Sequence, residues 1–401
     1  MKKILFVNID LLKKEVEGIE VKKYRNQFIH YADELCADDE ENEIVFVSMH
    51  QNVLDEAKKY FTENLRKTHY NFFNRRYVRE FVNNNKNRNN YFVFVSGKEV
   101  DFHVAVNCKS LFIVPTWIPV DEKSEYYGVH VDTPEQLFKF IRALNNQKNW
   151  YSRLEIQQNE ICFSLMDARY GYFAKSKEER EILIHFQNLL KENKSRNYYE
   201  ILLYHFLAGM TNTTLFDDIE LFGMIPSSDC TLNEDMYKFM TQVRYIKGKR
   251  LPKNRMEDDN LLIRHTPKRK AHNAYSPMQR CILGAVDEFS TMCINPEFKN
   301  KIETLKKAGR FNVLIFDDYV THGNTFNAVR NLLEAIGVNK IIFVALGSFG
   351  KTFKKVDYKL TGSVYKPEYG YEVISREILS DFEIENLAKD EVAELYDIFN
   401  S

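Results

Sequence analysis

Asp317 and Asp318 are adjacent and form an acid pair. The segment Thr321-His322-Gly323-Asn324-Thr325 follows this pair closely. Carboxylates accept hydrogen bonds from vicinal hydroxyl groups, so this pair can hold a sugar. Backbone N–H groups and threonine hydroxyls at a helix N-terminus bind a monophosphate, because that terminus carries partial positive charge. Glycine at position 323 lets the backbone approach such a phosphate closely. The segment therefore predicts a site for a phosphorylated sugar.

The residues around this segment predict a strand, a loop, a helix and a second strand. Val313–Phe316 is an apolar run typical of a buried strand. Apolar residues then recur at helical spacing from Phe326 to Ile336, Gly337 ends the helix, and Lys340–Leu346 forms the next strand. Open α/β sheets bind ligands at the carboxyl ends of their strands, where this loop would lie. The alternative is a polar turn with two incidental acids.

Val313–Thr325 resembles the motif of the type I phosphoribosyltransferases that binds 5-phosphoribosyl-1-pyrophosphate (PRPP). The resemblance implies that Asp317 and Asp318 hold the ribose 2- and 3-hydroxyls and reach, through PRPP, its bound Mg²⁺. It also implies that the 5-phosphate is held by Thr321, His322, Gly323, Asn324 and Thr325. The chain departs from the family at His322, where a small residue is usual, and at Thr321, where purine-salvage members carry Asp. These departures weigh against hypoxanthine-guanine salvage and leave the acceptor open.

The pyrophosphate of PRPP also needs a site, because negative charge builds on it as the bond to ribose carbon 1 breaks. The segment Gly223–Asp229, which contains Pro226, Ser227 and Ser228, resembles the pyrophosphate loop of the family. An ordinary turn would have a similar composition, so both interpretations stay open.

A basic run lies between that loop and the acid pair, in the region where the family carries its flexible loop. Its members are Arg244, Lys247, Lys249, Arg250, Lys253, Arg255, Arg264, His265, Lys268, Arg269 and Lys270. We expect Arg264 and Lys268 to act on the pyrophosphate as catalytic cations. A solvated charged face and a nucleic-acid patch remain as alternatives.

Three segments of the N-terminal third resemble, in order, motifs of the haloacid-dehalogenase (HAD) hydrolase fold. They contribute the candidate residues Asn8, Asp10, Ser48, Lys98 and Asp101. The nucleophile position holds Asn8, whose amide cannot attack phosphorus, and Lys98 stands where an acid is common. The resemblance thus implies a HAD-like domain that is not catalytic. Two alternatives are a motif shifted by two residues, with Asp10 as nucleophile, and a generic α/β domain.

The length of 401 residues and the 44% hydrophobic content predict a globular chain of two domains. Four apolar runs of strand length alternate with helical patterns in the first third: Ile4–Val7, Ile44–Val47, Tyr91–Val95 and Leu111–Val114. Thr133 and Pro134 predict the start of a helix. We expect an α/β protein with a HAD-like Rossmannoid parallel sheet at 1–149 and a type I phosphoribosyltransferase α/β domain at 150–401.

Charge and cysteine usage limit the partners and the compartment. The formal net charge is -1, so no global field favours nucleic acid or an anionic membrane. Six scattered cysteines without a CxxC pair indicate reduced thiols, and the apolar runs are too short for a signal peptide or a membrane span. We therefore expect a cytoplasmic protein that binds small molecules, is not associated with membranes and is compatible with a homodimer.

The predicted function is Mg²⁺-dependent transfer of the phosphoribosyl group from PRPP to a nitrogenous base or related acceptor, or the reverse reaction on a nucleotide. The first alternative is a sensor without catalysis that binds PRPP or a nucleotide and regulates a partner, as in bacterial stress or defence. The second is a nucleic-acid-binding protein that uses the basic run.

Overall fold

The fold is that of a computed structural model. It describes residues 2–13, 15–16, 19–20, 22–38, 42–86, 89–144, 150–169, 177, 180, 184, 197–248, 259–268, 286–350 and 352–400. Helices and strands alternate through most of these ranges, so the prediction of an α/β protein is confirmed.

The N-terminal part is built on a parallel sheet. Its strands are β1 (Lys2–Asn8), the short antiparallel pair β2 (Glu15–Val16) and β3 (Ile19–Glu20), β4 (Glu43–Ser48), β5 (Asn71–Asn74), β6 (Asn90–Val95), β7 (Leu111–Pro115) and β8 (Val129–Val131). All except β2 and β3 form one six-stranded sheet of order β5-β4-β1-β6-β7-β8 with parallel pairings. The four predicted strands are confirmed as β1, β4, β6 and β7, whose nearly continuous burial is typical of a sheet covered on both faces.

Helices connect these strands. They are α1 (Lys22–Asp38), α2 (Gln51–Lys59), α3 (Val78–Asn85), α4 (Glu99–Cys108), α5 (Glu122–Tyr127) and α6 (Pro134–Ala143). The predicted start of α6 is confirmed, because the Thr133 hydroxyl accepts a hydrogen bond of 3.1 Å from the backbone N–H of Gln136.

The C-terminal part contains a mixed sheet. In chain order its elements are β9 (Ser152–Gln157), β10 (Glu160–Asp167), α7 (Asn197–Thr211), β11 (Leu221–Met224), α8 (Glu234–Ile246), β12 (Leu262–Arg264), α9 (Val286–Phe289), β13 (Met292–Ile294), α10 (Lys299–Lys307), β14 (Asn312–Val320), α11 (Asn324–Ala335), β15 (Lys340–Ser348), β16 (Phe353–Thr361), β17 (Gly370–Leu379), β18 (Glu383–Ile384) and α12 (Asn386–Asn400). Six of the strands form a sheet of order β11-β14-β15-β10-β9-β18. Its first four strands are parallel, whereas β9 and β18 pair antiparallel.

The predicted strand, helix and strand around the acid pair are confirmed as β14, α11 and β15, with β14 and β15 adjacent and parallel. Two antiparallel pairs, β12 with β13 and β16 with β17, stand outside the mixed sheet. The pair β12 and β13 carries Arg264, and β16 packs against α11.

One hydrophobic core extends from the first sheet to the second. Val7 of β1, Trp150, Phe163 of β10 and Phe316 of β14 belong to the same cluster of buried side chains. The helix α12 contributes to it and contacts both α6 and α7. The predicted domain boundary at residue 149 lies outside the described residues.

Candidate functional site

The acid pair lies at the carboxyl-terminal end of β14, in the interior of the second sheet. The strand owes its place to the buried apolar run before Asp317, and it pairs with β11 on one side and β15 on the other. It continues to Val320, so the loop before α11 is shorter than the sequence suggested. Only Thr321, His322 and Gly323 lie between strand and helix, and Thr325 lies in the first turn of α11.

Position 323 requires glycine for a steric reason that the sequence did not indicate. Its φ of 72° lies in the left-handed region, which favours glycine. A Cβ atom at this position would lie 2.1 Å from Cε2 of Phe353, a buried residue of β16. The close approach that we assigned to a phosphate is therefore made, in this structure, by an aromatic ring.

The other residues of the loop differ in their surroundings. Thr321 is exposed, and Asn324 is partly buried at the start of α11. Nδ1 of His322 lies 3.3 Å from the carbonyl oxygen of Thr352, and the carbonyl of His322 accepts a 3.0 Å hydrogen bond from the N–H of Lys354. The predicted phosphate loop is thus tied to the chain segment that enters β16.

Burial controls the charge of the acid pair. Burial first, and then the negative charge of Asp318, raise the pKa of Asp317 well above its usual range. Burial also raises the pKa of Asp318. The carboxylates accept hydrogen bonds from adjacent backbone amides, Asp317 from the N–H of Asp318 at 2.9 Å and Asp318 from the N–H of Tyr319 at 2.6 Å. A pair of this kind favours a state with a shared proton over a state with two full charges.

The first two residues of the predicted pyrophosphate loop, Gly223 and Met224, belong to β11, and the rest of the loop follows that strand. The parallel pairing of β11 with β14 brings its carboxyl end to the same edge of the sheet. The carbonyl of Pro226 accepts a hydrogen bond of 3.3 Å from Nε of Arg264. The carbonyl of Ser228 accepts one of 2.7 Å from the backbone N–H of Lys268. Within the loop, Ser227 and Cys230 are joined by a backbone hydrogen bond of 3.1 Å. The loop and the two predicted cations are therefore neighbours.

Glu288 connects these cations to the phosphate loop. Its carboxylate, 2% exposed, accepts a 2.8 Å hydrogen bond from Nη2 of Arg264 and a 3.0 Å hydrogen bond from the hydroxyl of Thr325. It also forms an ion pair with Nζ of Lys268. Burial alone would raise the pKa of Glu288, but the charges of Lys268 and Arg264 outweigh it and lower that pKa. The sequence did not indicate Glu288, because its partners lie 24 and 37 positions away from it.

Other members of the basic run lie in different surroundings. Arg244 forms a buried ion pair of 2.7 Å with Asp259, and Lys247 forms one of 2.7 Å with Asp217. These two cations therefore belong neither to a solvated face nor to the site around Glu288. The positions 249, 250, 253, 255, 269 and 270 lie outside the described residues.

A second polar cluster lies at the carboxyl-terminal edge of the first sheet. Asp101 accepts hydrogen bonds of 2.6 Å from the amide of Asn8 and of 2.6 Å from the hydroxyl of Ser96, and it forms an ion pair with Arg75. The guanidinium of Arg75 thus already neutralises the carboxylate of Asp101. A divalent cation that bound Asp101 would have to displace this guanidinium. The sequence did not indicate Arg75, because it follows β5, a strand that the pattern did not predict.

The remaining HAD-like candidates surround this cluster. Asp10 donates its backbone N–H to Oδ1 of Asn8 at 2.8 Å and pairs with Lys13 at 2.6 Å. The hydroxyl of Ser48, at the end of β4, accepts a hydrogen bond from the N–H of His50. Nζ of Lys98 lies 3.7 Å from Oδ1 of Asp121. Neighbouring parallel strands thus bring the predicted residues to one edge of the sheet.

Comparison with protein-family models, with curated proteins and with solved structures finds no match for this chain. None of the helices in the described ranges has the length and apolar character that a bilayer span requires. In the same ranges, no group of three or more His, Cys, Asp or Glu side chains is arranged to hold a metal ion. Arguments about function therefore depend on the two polar clusters themselves.

Proposed function

We propose that this chain is a Mg²⁺-dependent phosphoribosyltransferase of type I, with PRPP bound at the carboxyl-terminal edge of the second sheet. The observation that carries the proposal is the convergence of three segments that are distant in sequence. Pro226–Ser228, Arg264–Lys268 and Asp317–Thr325 contact one another directly or through Glu288. From the sequence, each of these segments was predicted to hold a different part of PRPP. Segments chosen by chance would not be expected to lie next to one another in the fold.

In this proposal the acid pair holds the ribose. Asp317 and Asp318 offer four carboxyl oxygens at the end of a rigid central strand, two of which already accept backbone N–H groups. The remaining oxygens can accept the 2- and 3-hydroxyls. Positive charge that develops on the ribose ring would favour ionisation of the pair, which burial opposes in the free protein. The pair would then stabilise the transition state more strongly than the bound substrate.

The leaving group would lie between the loop at Pro226–Ser228 and the two cations. Arg264 and Lys268 would be catalytic residues, because they would contact the oxygens on which negative charge builds. Carboxyl oxygens such as those of Asp317 and Asp318 fit Mg²⁺, which commonly binds one or two carboxylates together with substrate phosphates. The ion would neutralise the pyrophosphate. The acceptor would be a nitrogenous base or a related group, or a nucleotide in the reverse reaction.

We further propose that the first sheet belongs to a HAD-like domain that does not catalyse hydrolysis. The chain order of its strands reverses at β1, and such switch points bind ligands in open α/β sheets. An amide at Asn8 and a guanidinium at Arg75 stand beside Asp101, where covalent phosphate chemistry needs a carboxylate and a metal. The full chain should show no Mg²⁺-dependent turnover of phosphomonoesters, and turnover lost in Asp10→Asn would contradict this.

The double variant Asp317→Asn/Asp318→Asn tests the main proposal. Loss of two partners for the ribose hydroxyls should cost on the order of 1–3 kcal/mol each, enough to abolish PRPP binding in calorimetry with Mg²⁺. Asp390→Asn on α12, exposed and remote in sequence, is the matched control. Unchanged PRPP affinity in a folded double variant would refute the assignment. Exchange of labelled pyrophosphate into PRPP then distinguishes an enzyme from a binding protein.

A sensor without catalysis is the second candidate, and one observation favours it. The donors expected to hold pyrophosphate and phosphate are already bonded to Glu288. A protein that only reports PRPP could use this arrangement to bind and release it without chemistry. PRPP binding without pyrophosphate exchange, with any base offered, would support the sensor. The nucleic-acid alternative is weaker, since Arg244 and Lys247 are buried in ion pairs.

A further inference from the structure

The buried carboxylate of Glu288 has the surroundings of a bound anion. One of its oxygens accepts the Thr325 hydroxyl at 3.0 Å and contacts Nζ of Lys268, and the other accepts Nη2 of Arg264 at 2.8 Å. Two cations and a hydroxyl around two oxygens are also what a phosphate edge requires. Glu288 therefore satisfies the same donors that a phosphorylated ligand would use.

These donors are already partly occupied. The hydroxyl of Thr325 has one proton, which it donates in its hydrogen bond to Glu288. Of the other groups on Arg264, Nη1 donates to the hydroxyl of Thr291 at 2.5 Å and Nε to the carbonyl of Pro226 at 3.3 Å. Arg264 and Lys268 keep further N–H protons, but the Thr325 hydroxyl can serve a phosphate only if it leaves the carboxylate, and both anions would then lie close together.

The electrostatic balance near Glu288 opposes a free anion. Arg264 and Lys268 supply two positive charges, and Glu288 together with an acid pair that shares one proton already supplies two negative ones. The charge of Glu288 is close enough to contribute to the raised pKa of Asp317. A ligand that brings its own positive charge would relieve the repulsion after displacement.

We propose that Glu288 is an internal anion that occupies the ligand's phosphate position and makes the site select a Mg²⁺-bound diphosphate over a free one. The inference rests on the proposed function and names the ionic form of the ligand that the site accepts. Glu288 acts through Arg264, Lys268 and Thr325, so it is a positioning residue. Its loss should change the preference between two forms of one ligand rather than affinity alone.

The test uses the full chain and inorganic pyrophosphate, titrated by calorimetry with excess Mg²⁺ or with a chelator. Glu288→Gln keeps the shape of the side chain and removes its charge, and Glu303→Gln, on the exposed face of α10, is the matched control. We expect Glu288→Gln to bind free pyrophosphate about tenfold more tightly than the wild type, the effect of roughly one removed like charge, with a smaller change for the Mg²⁺ complex. The control should change neither affinity.

Glu288→Asp provides a second variant, because the buried Arg264 makes misfolding of Glu288→Gln a real risk. Asp is one methylene shorter and cannot hold all three donors, but it keeps the charge that repels the ligand, so free pyrophosphate should gain affinity by less than in Glu288→Gln. Equal or weaker binding of free pyrophosphate in the folded variants would overturn the inference. If the wild type binds PRPP but the variants show no gain, only the inference fails. If the variants gain while the wild type does not bind PRPP, only the proposed function fails.

Discussion

The side-chain amide of Asn8 donates a hydrogen bond of 2.6 Å to Oδ2 of Asp101, an arrangement that a carboxylate at position 8 cannot keep. We expect Asn8→Asp to place two like charges in contact and to lower the free energy of unfolding by about 1–3 kcal/mol at pH 8. The loss should be smaller at pH 5, where one carboxyl of the pair can hold a proton. Urea denaturation measures both values. Asn64→Asp, at an exposed position, should change neither of them.

Lys268 should discriminate between PRPP and ribose 5-phosphate. Its Nζ contacts Glu288 on the side of the site assigned to pyrophosphate. We expect Lys268→Met to weaken PRPP binding by about tenfold or more, since a partly buried charge pair is removed, and to leave ribose 5-phosphate nearly unchanged. The measured quantity is the ratio of the two affinities. Lys306→Met on α10 is the control, and equal losses for both ligands would mean that Lys268 adds only a general positive field.

Gly323 and Gly309 form a matched pair for substitution by alanine. Both have a positive φ, 72° and 65°, but a Cβ at Gly309 would meet no atom within 4 Å, whereas at Gly323 it would meet Phe353. We expect Gly309→Ala to cost roughly 1–2 kcal/mol of stability and Gly323→Ala roughly 2–5 kcal/mol. In a Phe353→Ala background the cost at Gly323 should fall towards that at Gly309. Equal costs in the wild-type background would contradict the steric account.

Glu160 should make stability depend on pH. Burial first, and then the charge of Glu334, raise the pKa of Glu160 to about 7 from the 4.5 of an exposed glutamate, although Arg330 partly opposes the shift. Because the folded state holds this proton more tightly than the unfolded state, stability should fall as the pH rises from 4.5 to about 7.

The variant Glu160→Gln tests this dependence, since it cannot lose a proton. We expect it to flatten the decline and to exceed the wild type at pH 8 by about 1–3 kcal/mol in unfolding free energy, with little gain at pH 4.5. Glu155→Gln on β9, with an exposed side chain, is the control. An equal effect of Glu160→Gln at both pH values would show that the proton of Glu160 is not involved.

The structural elements that could be predicted from the sequence are those that depend on residues close together along the chain. The unit β14, α11 and β15 follows from apolar spacing and from Gly337, whose φ of 81° suits the end of a helix. Even here the end of the strand was misplaced, because Tyr319 and Val320 continue the pairing with β15 beyond the two acids.

Residues whose partners are distant in sequence could not be predicted. The basic residues Arg244 and Lys247 form one run with Arg264 along the chain, yet their acids Asp259 and Asp217 take them away from the site. Glu288 is the opposite case, an acid without a motif that the fold places among the predicted donors. Charge patterns record where ionic groups lie in the chain, but the sheet order decides which of them meet.

The docking of α12 has a consequence for how the chain folds. The amide of Gln136 on α6 donates a hydrogen bond of 3.0 Å to the carbonyl of Ile398 on α12, across 262 positions of sequence, and the rings of Phe140 and Phe399 meet nearby. Helix α1 covers one side of α6, where Phe28 meets Phe138, but the side that carries Phe140 lacks its cover from α12 while the intervening chain is still being synthesised. Contacts this distant in sequence are slow to form, so a chain emerging from the ribosome should expose this face for a long interval. We expect nascent chains that stop before α12 to be held by chaperones or to aggregate.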